Sequence, residues 1–204
     1  MNNIVNGLYK NTLHNCRVFC YDNVAEEKPM LECFYPDVYL DSAYEIDYET
    51  LYQKGLRGVI FDIDNTLVPH GAPADERSIA LFERLRGIGF ESVLLSNNKE
   101  PRVKSFNDRV HSRYLYKAGK PAKKGYLRAM ELMGTGPDTT LFVGDQLFTD
   151  VWGAKRAGIL TYLVKPIHPK EEIQIVIKRR LEWIVLFFYA RSLGRQGGKH
   201  ENRR

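Results

Sequence analysis

The feature that most constrains the fold is a repeated alternation of short apolar segments with helix-like segments. Each apolar segment is typical of a buried strand, because it is brief and rich in β-branched and aromatic residues. The predicted strands are residues 56–62, 90–95, 114–116, 140–145 and 160–164. The predicted helices are residues 47–54, 74–87, 100–110, 123–133 and 150–157. This order predicts an α/β fold, a Rossmann-like three-layer sandwich with a central parallel sheet.

The length of the chain favours a single domain with extensions. The chain has 204 residues, of which 44% are apolar, and this suffices for one packed core. We expect the domain to cover residues 36–191. Residues 1–35 show no clear period and are predicted to be an N-terminal extension, whereas residues 192–204 resemble a basic disordered tail.

The cysteines and the apolar runs bear on the compartment. The three cysteines, Cys16, Cys20 and Cys33, all lie in the predicted extension, and their odd number argues against a disulfide framework. A metal held by the first two is a less favoured alternative. No uninterrupted apolar run reaches the roughly 18 residues of a membrane span, and no secretory signal is evident. We expect a cytoplasmic protein, with a peripheral position at the inner membrane face as the alternative.

Polar side chains follow the predicted strands at the points where they end. In parallel sheets ligands bind beyond the carboxyl ends of the strands, so these side chains should converge on one edge. They are Asp62, Asp64, Ser96, Asn97, Lys120, Asp145 and Asp150.

The carboxylates in this set indicate a metal-assisted reaction on phosphate. Asp62, Asp64 and Asp145 would repel one another in one crevice unless a cation neutralised them. Hard oxygen ligands without histidine or cysteine select Mg²⁺, whose shell is usually completed by substrate phosphate. Asp62 is then able to attack phosphorus and form an aspartyl-phosphate. Asp64 is placed to protonate the leaving oxygen and later to take a proton from water.

The remaining polar residues would bind the phosphoryl oxygens that do not react. Ser96, the neighbouring backbone amides and Lys120 can supply this electrostatic positioning. Each element alone also has a simpler explanation, as a turn, a helix cap or a surface lysine. Their common order at successive strand ends favours the phosphohydrolase interpretation.

At these positions the sequence resembles the haloacid dehalogenase superfamily of phosphatases. The matching motifs are DIDNT at residues 62–66, Ser96 with Asn97, Lys120 before a proline, and GDQLFTD at residues 144–150. The resemblance implies Asp62 as nucleophile and Asp64 as general acid and base. It also implies Mg²⁺ bound by Asp62, the Asp64 carbonyl oxygen and Asp145, phosphate contacts from Ser96, Asn97 and Lys120, and support from Thr66 and Asp150.

A narrower resemblance concerns the substrate. Residues 36–186 resemble the subfamily III phosphatases related to phosphatidylglycerophosphate phosphatase, which implies a lipid phosphate. Residues 65–95 and 98–119 each hold one predicted helix and one strand, so neither interval has room for a cap domain. An open site suits a large or membrane-presented phosphate. The alternatives are a soluble ester or nucleotide as substrate, and a binding protein without catalysis on the same fold.

The C-terminal segment and the net charge suggest the partners. Residues 172–191 are apolar almost all round in their second half and are preceded by Lys178, Arg179 and Arg180. This segment is either an interfacial helix on an anionic membrane or a final helix packed on the sheet or on a second subunit. The net charge of +5 favours anionic partners. We expect a phosphorylated substrate and no nucleic-acid partner.

Overall fold

The architecture is a six-stranded parallel sheet between two layers of helices. A computed structural model describes residues 32–168 and 183–191. The strands are β1 Val38–Leu40, β2 Gly58–Phe61, β3 Glu91–Leu95, β4 Arg113–Leu115, β5 Thr140–Gly144 and β6 Leu160–Val164. They lie in the order β1-β6-β5-β2-β3-β4, and every neighbouring pair is parallel. The predicted parallel sheet is therefore confirmed.

Helices connect the strands, as the alternation predicts. They are α1 Tyr48–Gln53, α2 Glu76–Ile88, α3 Glu100–Val110, α4 Lys123–Met133 and α5 Trp152–Arg156. Helix α2 begins with a capping box in which Asp75 Oδ1 accepts from the Ser78 amide at 2.8 Å and the Asp75 amide donates to Ser78 Oγ at 3.0 Å. Helix α3 carries Pro101 in its first turn, where the missing N–H has no intrahelical partner to lose.

Both faces of the sheet are buried under helices. Along β2 the side chains alternate, so that Val59 and Phe61 pack with α1, α2 and α3, whereas Ile60 packs with α4 and α5. Because both faces are covered, all four residues of β2 are buried. The chain is thus the predicted three-layer sandwich.

Strand β1 was not predicted from the sequence. It pairs with β6 at the edge of the sheet, with Val38 opposite Tyr162. A strand of three residues is too short to show a period, and this pairing joins distant parts of the chain. Before it, Phe34 packs against the rings of Phe148 and Trp152 at centroid distances of 5.2 and 5.5 Å, although it falls in the predicted extension.

A C-terminal helix covers residues 183–191, beside the end of β6. Its buried Val185 packs with Leu147, Val151 and Leu163. The described part excludes residues 1–31, 169–182 and 192–204. Cys16, Cys20 and the beginning of the predicted segment 172–191 therefore lie outside it. In the parts of the chain that the structure describes, no helix is both long and apolar enough to cross a membrane.

The intervals where a cap domain could be inserted contain only core elements. Between Asp64 and Ser96 lie a loop, α2 and β3, and between Asn97 and Lys120 lie α3 and β4. Over the continuous range 32–168 there is accordingly no cap domain, as predicted.

Candidate active site

Three buried carboxylates meet at the carboxyl edge of the sheet. Asp62 follows β2, Asp145 follows β5, and Asp150 lies in the turn of π-helix Leu147–Val151. One oxygen from each lies within 4.8 Å of the others. A backbone hydrogen bond from the Asp62 amide to the Val143 carbonyl, at 3.0 Å, extends the pairing of β2 with β5 and fixes the position of Asp62.

Close packing against Gly144 fixes Asp150 in this cluster. A Cβ atom at Gly144 would lie 2.7 Å from Asp150 Cγ, so only glycine leaves room for the carboxylate. The Gln146 amide donates to Asp150 Oδ2 at 3.1 Å. Thr66 Oγ1 similarly donates to Asp145 Oδ1 at 3.3 Å. The two residues predicted to support the site, Thr66 and Asp150, therefore both contact the cluster or belong to it.

Lys120 neutralises part of the negative charge. Its Nζ donates to Asp62 Oδ1 at 2.6 Å and to Asp150 Oδ1 at 2.7 Å, and its side chain is almost completely buried. Burial disfavours the ammonium ion, but the two carboxylates outweigh this effect and raise the pKa of Lys120 above its usual range. Burial raises the pKa of Asp62 to about 6, against the opposing effect of the Lys120 charge.

The second strand end fixes the backbone around Lys120. Asn97 Oδ1 accepts from the Lys120 amide at 2.8 Å, and Asn97 Nδ2 donates to the Lys120 carbonyl at 3.1 Å. Ser96 Oγ accepts from the Asn98 amide at 3.1 Å. The Asn97 side chain is thus engaged in positioning Lys120, and its predicted contact with phosphate stays a prediction.

The donor set fits a divalent cation. If all are ionised, three carboxylates and one ammonium leave two negative charges in a buried site, which is unfavourable without a counter-ion. One oxygen from each carboxylate already lies within 4.8 Å of the other two, so the three are close enough to share one cation. The ligand atoms are all oxygen, the type that Mg²⁺ prefers.

Asp64 occupies a separate polar niche beside the cluster. Its Oδ1 accepts from Arg102 at 2.9 Å and from the Gly71 amide at 2.7 Å, and its Oδ2 accepts from Asn98 at 2.6 Å. The exposed His70 has Nδ1 3.9 Å from Oδ1. Asn65, which directly follows Asp64, has a φ of 63°, a left-handed conformation that asparagine tolerates. The loop of residues 68–73 is attached to Asp64 through the Gly71 amide.

Comparison with known proteins identifies the family. Residues 117–173 match the family model described as HAD-hydrolase-like. The chain is also 36% identical, over 154 residues, to the Bacillus subtilis protein named Probable phosphatase YqeG, in an alignment that covers 75% of this chain and 90% of that protein. This chain belongs to the haloacid dehalogenase superfamily of phosphatases. The predicted family and enzyme class are thereby confirmed, and the chain is a phosphatase of this type.

Two further proteins show more distant similarity to this chain. The chain is 33% identical over 164 residues to an Arabidopsis thaliana protein, phosphatidylglycerophosphate phosphatase 1, chloroplastic/mitochondrial. That alignment covers 74% of this chain and 47% of the Arabidopsis protein, so the chain spans about half the length of this relative. A solved phosphatase from Haemophilus influenzae, in a cobalt-bound form, superposes with a TM-score of 0.44 at 15% identity over 53% of this chain and 68% of its own.

Sequence reasoning missed two residues of this phosphatase site. Asn98 and Arg102 both bind the Asp64 carboxylate, but neither was assigned a role. Asn98 directly follows the Ser96-Asn97 pair, and this proximity could have indicated it. Arg102 lies in the first turn of α3, and no local sequence pattern near Asp64 indicates the contact between Arg102 and Asp64.

An apolar pocket adjoins the carboxylate cluster. It has a volume of about 160 Å³ and lies between the end of β6 and the C-terminal helix. Asp145 forms part of its wall. The other lining residues have aliphatic or aromatic side chains and are Tyr39, Leu147, Leu163, Val164, Pro166, Trp183 and Leu186. The candidate active site therefore has an ionic part and an apolar part that share Asp145.

Proposed function

We propose that the protein is a Mg²⁺-dependent phosphomonoesterase that works through an aspartyl-phosphate on Asp62. The observation that carries this proposal is the buried cluster of Asp62, Asp145 and Asp150 joined by Lys120. Asp62, the backbone carbonyl of Asp64 and Asp145 would hold the ion, with Asp150 supporting them. When bound, Mg²⁺ would neutralise charge on the phosphoryl group and on the attacking carboxylate.

The chemistry divides into two displacements at phosphorus. An Asp62 oxygen forms a bond to phosphorus while the bond to the ester oxygen breaks, and Asp64 gives that leaving oxygen a proton. Water then attacks the aspartyl-phosphate, Asp64 takes the water's proton, and inorganic phosphate leaves with Asp62 regenerated. Lys120 and Ser96 would donate hydrogen bonds to the oxygens that do not react.

The surroundings of Asp64 fix the orientation of its side chain, which the proposed acid and base role needs. Arg102 and Asn98 hold the carboxylate in one orientation, so little has to be reorganised during the reaction. Because Gly71 donates to the same carboxylate, the loop 68–73 stays close to the leaving group. Arg102 is a positioning residue in this proposal, since it acts through Asp64.

The proposed substrate is a lipid phosphate, with hydrolysis of phosphatidylglycerophosphate to phosphatidylglycerol as the specific case. Two observations support it, namely the absence of a cap domain in residues 32–168 and the apolar pocket beside Asp145. The name of the Arabidopsis relative agrees with this substrate. A soluble phosphate ester or nucleotide is the alternative that a substrate panel has to exclude.

The proposal extends to where the protein works. We place it in the cytoplasm, in peripheral contact with an anionic membrane through residues 172–191, of which 183–191 are described. This location would bring the site to a phosphate that projects from the bilayer surface.

The decisive experiment replaces the nucleophile. Asp62→Asn keeps the size of the side chain but removes the attacking charge, so Mg²⁺-dependent phosphate release should fall to background while the circular dichroism spectrum is unchanged. Asp108→Asn, at an exposed aspartate of α3, is the matched control and should keep full activity. Full activity in Asp62→Asn would refute the assignment. A panel of phosphatidylglycerophosphate, soluble esters and nucleotides tests the substrate, and a preference for soluble esters would refute the lipid proposal.

A further inference from the structure

The C-terminal helix has one apolar face that packs on the domain and a second that faces solvent. Trp183, Ile184, Phe187 and Phe188 have 68%, 46%, 50% and 45% of their surfaces exposed. Their spacing of one and four residues places them on one side of the helix. We call these four residues the docking face.

Three of the four residues of the docking face form a continuous aromatic surface. The rings of Trp183 and Phe187 stack at a centroid distance of 6.0 Å, and those of Phe187 and Phe188 meet edge to face at 5.6 Å. Exposed apolar groups of this size that adjoin one another mark interaction sites more often than scattered apolar residues do. Tryptophan in particular is enriched where one side of a structure is apolar and the other is wet.

The docking face is continuous with the apolar pocket of the active site. Trp183 belongs to both, because it also lines the pocket that contains Asp145. The pocket is open on one side, and its volume of about 160 Å³ leaves room for a short apolar segment. A hydrocarbon segment that entered past Trp183 would bring an attached phosphate beside the carboxylate cluster.

We infer that the docking face seats on the surface of an anionic phospholipid bilayer and orients the pocket towards the lipid. The charge distribution supports this partner, since the sequence has Lys178, Arg179 and Arg180 shortly before residue 183, where the described part of the helix begins, and the exposed Arg191 ends that part. Basic residues beside an exposed aromatic face are typical of helices that lie in the membrane interface. The inference rests on the proposed lipid substrate and narrows the proposed membrane contact to the four side chains of the docking face.

Vesicle binding tests this surface directly. The full chain should co-sediment with phosphatidylglycerol vesicles and much less with phosphatidylcholine vesicles. The double variant Phe187→Gln/Phe188→Gln should weaken binding by about tenfold or more, because the two exposed rings no longer enter the interface. Leu127→Gln is the matched control, since Leu127 is 51% exposed on α4, and it should bind as the wild type does. Equal binding by the double variant and the wild type, or no binding by the wild type, would overturn the inference.

Tryptophan fluorescence supplies a second measurement that needs no change to the docking face. The chain has two tryptophans, so Trp152→Phe leaves Trp183 as the sole emitter. Phosphatidylglycerol vesicles should shift its emission to the blue, and brominated lipids should quench it. Vesicle binding without any change in Trp183 emission would show that another surface binds the membrane. A dimer in sedimentation that the double variant dissociates, without vesicle binding, would assign the face to a second copy.

Activity separates failure of this inference from failure of the proposed function. The double variant and Leu127→Gln should both hydrolyse a soluble phosphate ester at the wild-type rate, since neither changes the carboxylate cluster or the pocket. On vesicle-borne lipid phosphate the double variant alone should be impaired. Soluble-ester activity without vesicle binding in the wild type would refute the docking face and leave the phosphatase chemistry intact. Vesicle binding by Asp62→Asn together with inactivity of the wild type on every ester would refute the chemistry instead.

Discussion

Replacement of Lys120 by methionine measures how much the Lys120 charge contributes to the free energy of unfolding by neutralising the carboxylate cluster. Methionine fills nearly the same volume, so the variant removes the charge without leaving a large cavity. Lys120 lies within 2.6 and 2.7 Å of two buried carboxylates, and a third is in the same cluster. Loss of one partner of a buried ion pair typically costs about 3–5 kcal/mol. We expect the free energy of unfolding in EDTA at neutral pH to fall by that amount.

The pH dependence follows from the two pKa shifts. The pKa of Lys120 is raised in the folded state, so its stabilisation is complete below the unfolded pKa of about 10.4 and is lost progressively as the pH rises from there to the folded pKa. The pKa of Asp62 is raised to about 6, so protonation of Asp62 favours the folded state as the pH falls from 6 towards 4. The variant should gain more from this protonation, because Lys120 no longer holds the pKa of Asp62 down. The difference in the free energy of unfolding between the wild type and Lys120→Met should therefore become smaller as the pH falls from 6 towards 4.

Urea denaturation followed by circular dichroism measures these differences, and an unchanged slope shows that the variant still unfolds in one step. Lys124→Met, at an exposed lysine of α4, is the matched control and should change stability by less than about 0.5 kcal/mol. Mg²⁺ should recover part of the variant's own stability, with about 2.7 kcal/mol gained relative to the variant in EDTA at a hundredfold excess over its dissociation constant. A loss below about 1 kcal/mol in EDTA, without recovery by Mg²⁺, would refute the charge argument.

Three further predictions follow from particular contacts. Arg102→Gln should lower kcat about tenfold or more for an alkyl phosphate and much less for p-nitrophenyl phosphate. Arg102 positions Asp64, and only the alkyl leaving group needs the proton that Asp64 donates. Equal losses of kcat on both substrates would contradict this role. Mg²⁺ affinity measured by calorimetry should fall as the pH drops below about 6, since a proton on Asp62 competes with the ion, and a constant affinity down to pH 4 would exclude Asp62 as a ligand. Gly153→Ala should destabilise the protein by about 1–3 kcal/mol, because its Cβ would overlap the buried ring of Tyr126. Gly87→Ala, at an open helical position, should instead stabilise it by up to about 1 kcal/mol. Thermal denaturation distinguishes the two variants, and similar effects of both would refute the packing argument.

Most of the sheet could be predicted because its strands are buried on both faces. Strands β5 and β6 agree with the predicted residues to within one position, and helices α3 and α4 agree completely. Their apolar runs and end signals are local, so the sequence contains them. Strand β1 depends instead on pairing with residues more than a hundred positions away, which no local pattern shows.

The site divides in the same way. The residues at the strand ends were predicted because a parallel sheet brings those ends together, and Asp62, Asp145 and Lys120 do meet there. The orientation of each side chain was not predictable. Asn97 bonds the Lys120 backbone, an arrangement that the sequence did not indicate because it depends on how two loops approach each other, and its contact with phosphate stays a prediction.

The central claim is that Asp62 forms a covalent bond to phosphorus, and trapping that bond tests it most directly. Asp64→Asn should slow hydrolysis of the intermediate, so a brief incubation with substrate and Mg²⁺ followed by acid quench should leave protein whose intact mass is higher by one phosphoryl group. Borohydride reduction should then convert the phosphorylated residue to homoserine, and peptide mapping should locate the homoserine at position 62. Phosphate release by an enzyme that never carries this adduct, or an adduct mapped to another residue, would contradict the account.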